Sequence, residues 1–351
     1  MDGAVSGADV LGSDVDNRQR LWSLAGARPG GVRRLLSIVG LLSVGSLFGG
    51  CLSPQPMAPA LGGSDTSAAT ADAVTFFESF FTARNQRDVE ATMSHFAPEL
   101  AAHVDATHGL ERRGYEALRT HFAEVMPKWP ADARAYPTRI IGSGASAVVG
   151  YVEHGFDGAF EVMSPELRRF AAVDFKDGNV VRWVDYWDSS ALTAALDAQL
   201  RAPAERFAAD FHETSVGENA SPLAQMVAKR FFEASTTARA EDLTKLFSDE
   251  AVYEDLTLRT QLVGRSAIGR YFARALGKLP FATGAQLRHV LGGDAGGAFE
   301  WRGSGPSGVP GGLTVFVLDG SARVIRLSIV YDGRRLMQSD RQLLARLALE
   351  P

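Results

Sequence analysis

Cysteine is almost missing: the 351-residue chain has one, Cys51. That excludes an intramolecular disulfide and any zinc site built on two thiolates. Histidine is sparse, at seven residues, and none falls in an HExxH or comparable ligand spacing, so neither a metal nor a cofactor is expected. There is no excess of basic charge. The 36 Lys and Arg face 41 Asp and Glu, for a net charge of −5, which leaves no basic stripe for nucleic acid. Also missing is an apolar run of the roughly 20 residues that a bilayer-spanning helix needs. What remains is ordinary for a globular protein: 46% hydrophobic and 22% charged residues. At about 100–200 residues per domain there is room for roughly two domains.

The longest apolar run lies near the start. Arg33-Arg34 precede residues 35–48 (LLSIVGLLSVGSLF), a stretch of 14, and Gly49-Gly50-Cys51 follow. Positive charge, a short apolar core and small residues read as a signal peptide. The string resembles a bacterial lipoprotein signal, in which the cysteine becomes the lipidated N-terminus. That resemblance implies lipidation at Cys51 and a place in the bacterial cell envelope, facing the periplasm or the exterior. An uncleaved anchor or a buried helix is the alternative for this run. The long stretch ahead of the arginines leads us to expect a translation start near Val32. Residues 52–72 are Pro-, Ala-, Gly- and Ser-rich without periodicity and read as a flexible tether. Folded structure is expected from Ala73.

The remainder repeats. Phe80-Phe81 and Phe231-Phe232 are 151 apart, and the segments 114–122 and 264–272, each opened by glycine, align at an offset of 150. Each half opens with an amphipathic helix, on which Ala73, Phe76, Phe77, Phe80, Phe81 and Arg84, or Val227, Phe231 and Ala234, recur at helical spacing. A short helix, an extended stretch and the glycine-entered helix follow. Both halves then turn to strand pattern, at 138–142, 147–154, 168–175 and 180–187, and at 286–291, 298–302, 313–318 and 324–331, with hairpin turns at 176–179 and 319–322. Helices followed by an antiparallel meander predict an α+β fold. The boundaries expected are 73–200 for the first domain, 201–220 for a linker and 221–351 for the second.

This order of elements and these residues resemble the SnoaL-like family of the wider nuclear-transport-factor-2-like superfamily. The resemblance implies two tandem cone-shaped α+β barrels, each with three helices on a curved sheet around one cavity. The superfamily holds isomerases, cyclases, dehydratases, epoxide hydrolases and many binding domains, so fold alone decides little about activity. It commonly dimerises through its sheets, which implies an intramolecular pseudo-dimer or a homodimer.

The sharpest candidate for chemistry is Asp185. In the strand 181–187, side chains alternate faces, so Asp185 shares one with Val181, Trp183 and Trp187. Burial there raises a carboxylate pKa and suits it to proton exchange near neutral pH, although a structural hydrogen bond is the plainer role. The string Trp-Val-Asp-Tyr-Trp-Asp resembles one in limonene-epoxide hydrolases whose first Asp is a catalytic acid/base. Glu153, with Tyr151 on its face, falls where those enzymes carry an Arg-x-Asp pair. Their triad is thus not reproduced, and epoxide hydrolysis by that route is not expected. His103, Asp105 and His108 cluster in what reads as a loop. In the second half, the segment ending Tyr253-Glu254-Asp255 resembles the ketosteroid-isomerase stretch that supplies the base. The matching oxyanion positions, Phe231 and about Thr314, hold no acidic donor. Pocket residues expected are Trp183, Trp187, His103, Asp105 and Tyr253. The favoured reading is a ligand- or partner-binding lipoprotein that takes a small hydrophobic molecule in its barrels without catalysis. The alternative is an acid/base enzyme of isomerase, cyclase, dehydratase or hydrolase type, acting on a small cyclic or polyketide-like molecule in the first domain.

Overall fold

The 150-residue repeat in sequence is a repeat in structure. The computed structural model describes residues 63–155, 166–208, 210–303 and 308–349. The leader, Cys51 and most of the expected tether lie outside the described residues. The first repeat runs through helices α1 (Ala71–Gln86) and α2 (Val89–Met93), strands β2 (Ala102–Asp105) and β3 (Leu110–Arg113), helix α3 (Tyr115–Val125), and strands β4 (Arg134–Gly142), β5 (Ser146–His154), β6 (Glu166–Lys176) and β7 (Asn179–Trp187). Short helices α4 (Ala194–Leu200) and α5 (Glu213–Val216) lead to the second repeat. That repeat comprises α6 (Pro222–Thr236), α7 (Ala240–Lys245), β8 (Phe247–Asp255), β9 (Thr260–Val263), α8 (Arg265–Ala275), β10 (Gln286–Gly293), β11 (Gly296–Arg302), β12 (Gly311–Leu318) and β13 (Val324–Tyr331). Helix α9 (Gln338–Leu349) follows and buries Leu344 against the second barrel's core.

The two sheets match strand for strand. One runs β4-β5-β6-β7-β2-β3, the other β10-β11-β12-β13-β8-β9. In each, one parallel pairing, β7 with β2 or β13 with β8, closes an otherwise antiparallel meander. Details repeat as well. Gly142 and Gly292 both have φ 113°, and each carbonyl accepts from the backbone N–H of the residue that starts a helix, Thr70 at 3.0 Å and Ser221 at 2.9 Å. A Cβ on Gly292 would lie 2.3 Å from the Cα of Gly297, so only glycine fits there. Ser221 also caps α6 through its side chain, ahead of Pro222 in the first turn.

The first sheet has an extra edge. Residues 65–69, which the sequence assigns to the tether, form β1 (Asp65–Ala69), paired parallel to β4. The run Asp-Thr-Ser-Ala-Ala has no strand signature of its own; pairing with β4 supplies it. Ordered chain therefore starts before Ala73, and residues 64–351 form one compact unit.

One face of each sheet closes on its own helices. Phe77, Phe80 and Phe81 of α1 pack on Val149, Val173 and Trp183, and Phe231 of α6 packs with Phe299, Phe316 and Ile329. The opposite faces pack against each other, with Val148, Ala172, Val184 and Tyr186 meeting Leu291, Ala298, Leu313 and Val315. Each such aliphatic side chain taken out of water contributes about 1.5–3 kcal/mol. Within this layer lies a buried charged group. Arg182 pairs with Asp174 at 3.0 Å and with Glu300 at 2.6 Å, Tyr186 donates to Glu300 at 2.6 Å, and the His289 Nε2 meets Asp174 at 3.0 Å. At the end of the layer the repeats exchange contacts reciprocally. Gly333 N–H donates to Asp188 at 3.0 Å, and Ser189 donates to Asp332, through its hydroxyl at 2.7 Å and its N–H at 3.3 Å.

Candidate functional site

Strand alternation on β7 turns Trp183, Asp185 and Trp187 into the first barrel and Arg182, Val184 and Tyr186 toward the other sheet, as the sequence pattern predicts. Asp185 is 5% exposed. Its Oδ1 accepts two hydrogen bonds, from the Tyr151 hydroxyl at 2.7 Å and the Trp183 Nε1 at 2.9 Å. Its Oδ2 faces the His103 Nε2 at 3.9 Å. Burial dominates its titration and outweighs Arg169 and the two donors, so its pKa rises to about 6.

His103 and Asp105 do not lie in a loop. They belong to β2, held in parallel register with β7, so that His103 stands beside Trp183 and Asp105 beside Asp185. A four-residue strand reading Ala-His-Val-Asp has too little pattern to declare itself; its pairing with β7 makes it. Ala102 and Val104 point the other way, into the layer between the sheets. The His103 ring lies parallel to Trp183, with centroids 6.1 Å apart. Burial, then the Arg112 charge, pushes its pKa down to about 3, so it is neutral. Asp105 accepts from the Trp187 Nε1 at 3.0 Å and sits 3.3 Å from the His108 Nδ1. Burial alone would raise its pKa, but His108 outweighs it and keeps the carboxylate ionised.

Glu153 shares the inward face of β5 with Tyr151 and is clamped by two arginines. It pairs with Arg84 of α1 and, at 2.7 Å, with Arg169 of β6. Burial opposes the charge, yet Arg169 and Arg84 together hold the pKa below the usual range. Arg169 also lies over the Trp187 ring, 4.4 Å from its centroid. Neither arginine was singled out by sequence reasoning as a site residue. The signals were present: Arg84 falls on the buried stripe of α1, and Arg169 is two residues before Ala171 on the inward face of β6.

The second barrel holds a separate polar cluster and is not brought together with Asp185. Asp255 is 1% exposed and accepts from the Tyr331 hydroxyl at 3.2 Å and the Leu258 N–H at 2.8 Å. Burial raises its pKa to about 7, against those donors. Around it, the hydroxyls of Tyr253 and Tyr271, the Trp301 Nε1 and the Thr314 hydroxyl are buried without a hydrogen-bond partner. Tyr271 and Trp301 escaped sequence reasoning, although Tyr271 follows from His121 and Trp301 from Tyr151 by the 150-residue offset. Asp255 also borders a groove of about 480 Å³, lined in addition by Trp187, Asp188, Glu254, Arg259 and Gln261. Among the described residues, no three His, Cys, Asp or Glu side chains converge as a metal site.

A profile of the SnoaL-like domain family matches residues 228–332, the span of the second barrel. No curated protein matches the chain. Among solved structures, a SnoaL-like protein of unknown function from Burkholderia thailandensis is 19% identical, covering 31% of this chain and 94% of its own, with a TM-score of 0.28. An NTF2-like protein of unknown function from Burkholderia pseudomallei is 21% identical over 36% of this chain and 100% of its own, TM-score 0.29. A polyketide cyclase, so named provisionally, from Sinorhizobium meliloti is 19% identical over 32% of this chain and 93% of its own, TM-score 0.27.

Proposed function

We propose that this chain, whose residues 228–332 match the SnoaL-like domain, takes a small, largely apolar molecule into its first barrel and exchanges a proton with it through Asp185. The observation that carries this reading is the state of that carboxylate. Tyr151 and Trp183 hold Oδ1, which leaves Oδ2 turned toward His103, and the group titrates near pH 6. A buried acid poised there gives up and takes back a proton at neutral pH. The reaction class is proton transfer at a small cyclic or polyketide-like compound, as in an isomerase, cyclase or dehydratase. Tyr151 and Trp183 orient the carboxylate, and Glu153 orients Arg169. Asp255, beside Tyr331, is the corresponding titrating group of the second barrel.

The test uses the full-length protein, incubated with a small-molecule extract and followed by untargeted mass spectrometry. Wild type is expected to convert a compound that Asp185→Asn converts about 10²- to 10⁴-fold more slowly, the usual worth of a positioned acid/base. Equal conversion by the variant removes Asp185 from the mechanism.

Binding without catalysis is the second reading. In its favour, the other carboxylates of the first barrel are committed, Glu153 to two arginines and Asp105 to His108. Among the described residues, no second exchanging carboxylate therefore stands beside Asp185. Compounds that are retained but unaltered would decide for it.

We further propose that the chain is an envelope lipoprotein anchored at Cys51. The support is the run of residues 33–51. Palmitate labelling that survives Cys51→Ala would overturn it. The packing of the two sheets supports a reading of the tandem as an intramolecular pseudo-dimer.

A further inference from the structure

Among the described residues, one charged side chain in the first barrel has no counter-ion in contact. Arg112 of β3 stands directly across from His103 of β2, on the face that β2 shares with Trp183 and Asp185. It is half-buried. Its neighbour Arg113, by contrast, points outward and pairs with Glu111 at 2.9 Å. The inward arginines Arg84 and Arg169 share Glu153. Asp105 and Asp185 act on Arg112 only at a distance, through charge and not through contact. Burial lowers its pKa, to about 10, which still leaves it cationic.

Its surroundings are those of a binding site. His103 and His121 both feel the Arg112 charge and are both neutral, chiefly through burial. The His103 Nδ1 is buried and makes no hydrogen bond. A neutral imidazole carries its proton on one nitrogen, so Nδ1 donates in one tautomer and accepts in the other. Next to these polar groups stand the rings of Phe96 and Phe122, 6.5 and 6.0 Å from His103 by centroid. Half-buried and without an ion pair among the described residues, the guanidinium is available to an incoming anion. A planar fork of donors fits a carboxylate in two-point contact.

We propose that the first barrel selects a small organic acid, its carboxylate seated on Arg112 beside His103 and His121 and its apolar body against Phe96, Phe122 and Trp183. This rests on the ligand-binding reading of that barrel and names the class of molecule it takes. The acid's charge also supplies the counter-ion that the described residues of the barrel do not.

The experiment titrates the full-length protein with cinnamate and with cinnamyl alcohol, its neutral counterpart, by calorimetry and by tryptophan fluorescence. Cinnamate is expected to bind roughly tenfold to a hundredfold more tightly, the worth of charge-assisted hydrogen bonds. Arg112→Gln should bring the two within about twofold, alcohol affinity staying constant, and Arg113→Gln should leave the preference intact. If the alcohol binds as tightly as the acid, or if Arg112→Gln keeps the preference, the acid site is wrong while the ligand-binding reading stands. If neither compound binds, both this inference and the reading beneath it fall.

Discussion

Asp105 and Asp255 occupy the same position in the two barrels, and their pKa values are shifted in opposite directions. They lie 150 residues apart, each opening an Asp-x-Thr turn. Thr107 and Thr257 then bond the last residue of the neighbouring strand alike, at 2.8 Å to the Trp187 carbonyl and 2.7 Å to the Tyr331 carbonyl. Both carboxylates are buried, and burial pushes both upward. The difference is one residue further on. His108 sits against Asp105 and overrides burial, whereas its counterpart Leu258 offers Asp255 only a backbone N–H. Two copies of one backbone thus hold a fixed anion and a titrating acid.

That difference sets the stability of the second barrel against pH. The folded pKa of Asp255, about 7, is raised above its unfolded value, with burial as the first cause. Such a group favours folding below the unfolded pKa and loses that contribution as pH rises from about 4 to 7. Asp255→Asn keeps the acceptor for the Leu258 N–H and presents an amide N–H to the Tyr331 oxygen, without a charge to bury. It should raise Tm by several degrees at pH 8 and by little at pH 4. Thermal scans across that range check it, and a Tm that drops equally at both values would contradict it.

Asp185 should titrate with a midpoint near 6, and Tyr151→Phe should move that midpoint upward. The hydrogen bond from Tyr151 favours the ionised form, so removing it leaves burial less opposed. The shift expected is up to about one pH unit. Carboxyl NMR resolves it directly, and the pH profile of any turnover should follow.

The charged group between the sheets should be intolerant of single changes. Arg182→Met leaves Asp174 and Glu300 buried without their cation and should cost about 3–5 kcal/mol, read as a fall in the urea midpoint. Replacing all three with apolar residues should cost less than Arg182→Met alone. His289 adds a pH term. Burial lowers its pKa, but the bond to Asp174 overrides this and raises it, with Arg182 and Glu300 also facing it. Its contribution is complete below about 6.5 and disappears as pH rises through the folded pKa. Wild type should therefore lose more stability than His289→Gln between pH 6 and 9.

The reciprocal pair at the end of the layer should be coupled. Asp332 serves Ser189 and pairs with Arg201 at 2.5 Å, while Asp188 serves Gly333. A double-mutant cycle with Asp188→Ala and Asp332→Ala should give an interaction energy of about 0.5–3 kcal/mol. Strict additivity would show that the two contacts act independently.

Period-two alternation made the meanders and the inward face of Asp185 legible in sequence, and the 150-residue offset gave the tandem. The rest depends on contacts distant in the chain. The run Asp65–Ala69 is a strand only because β4 offers an edge. The segment Ala102–Asp105 is one only because β7 runs beside it. Arg169 and Arg84 are inward arginines because Glu153 lies between them, and an arginine on a strand or helix pattern reads as surface until its partner is placed. The kinship of Asp105 with Asp255 was in the offset itself. It was masked because Asp105 reads as part of a loop cluster with His103 and His108, while Asp255 ends a strand-like segment.

The face-to-face layer has a consequence for how the two chambers can evolve. In a dimer of identical subunits, every substitution appears in both chambers at once. Here each chamber has its own stretch of gene, while the shared layer keeps them at a ratio of one to one. The first has kept Asp185 where the second has Ile329, and the second has Tyr271 where the first has His121. Covalent linkage leaves the two barrels free to differ at matched positions without losing each other.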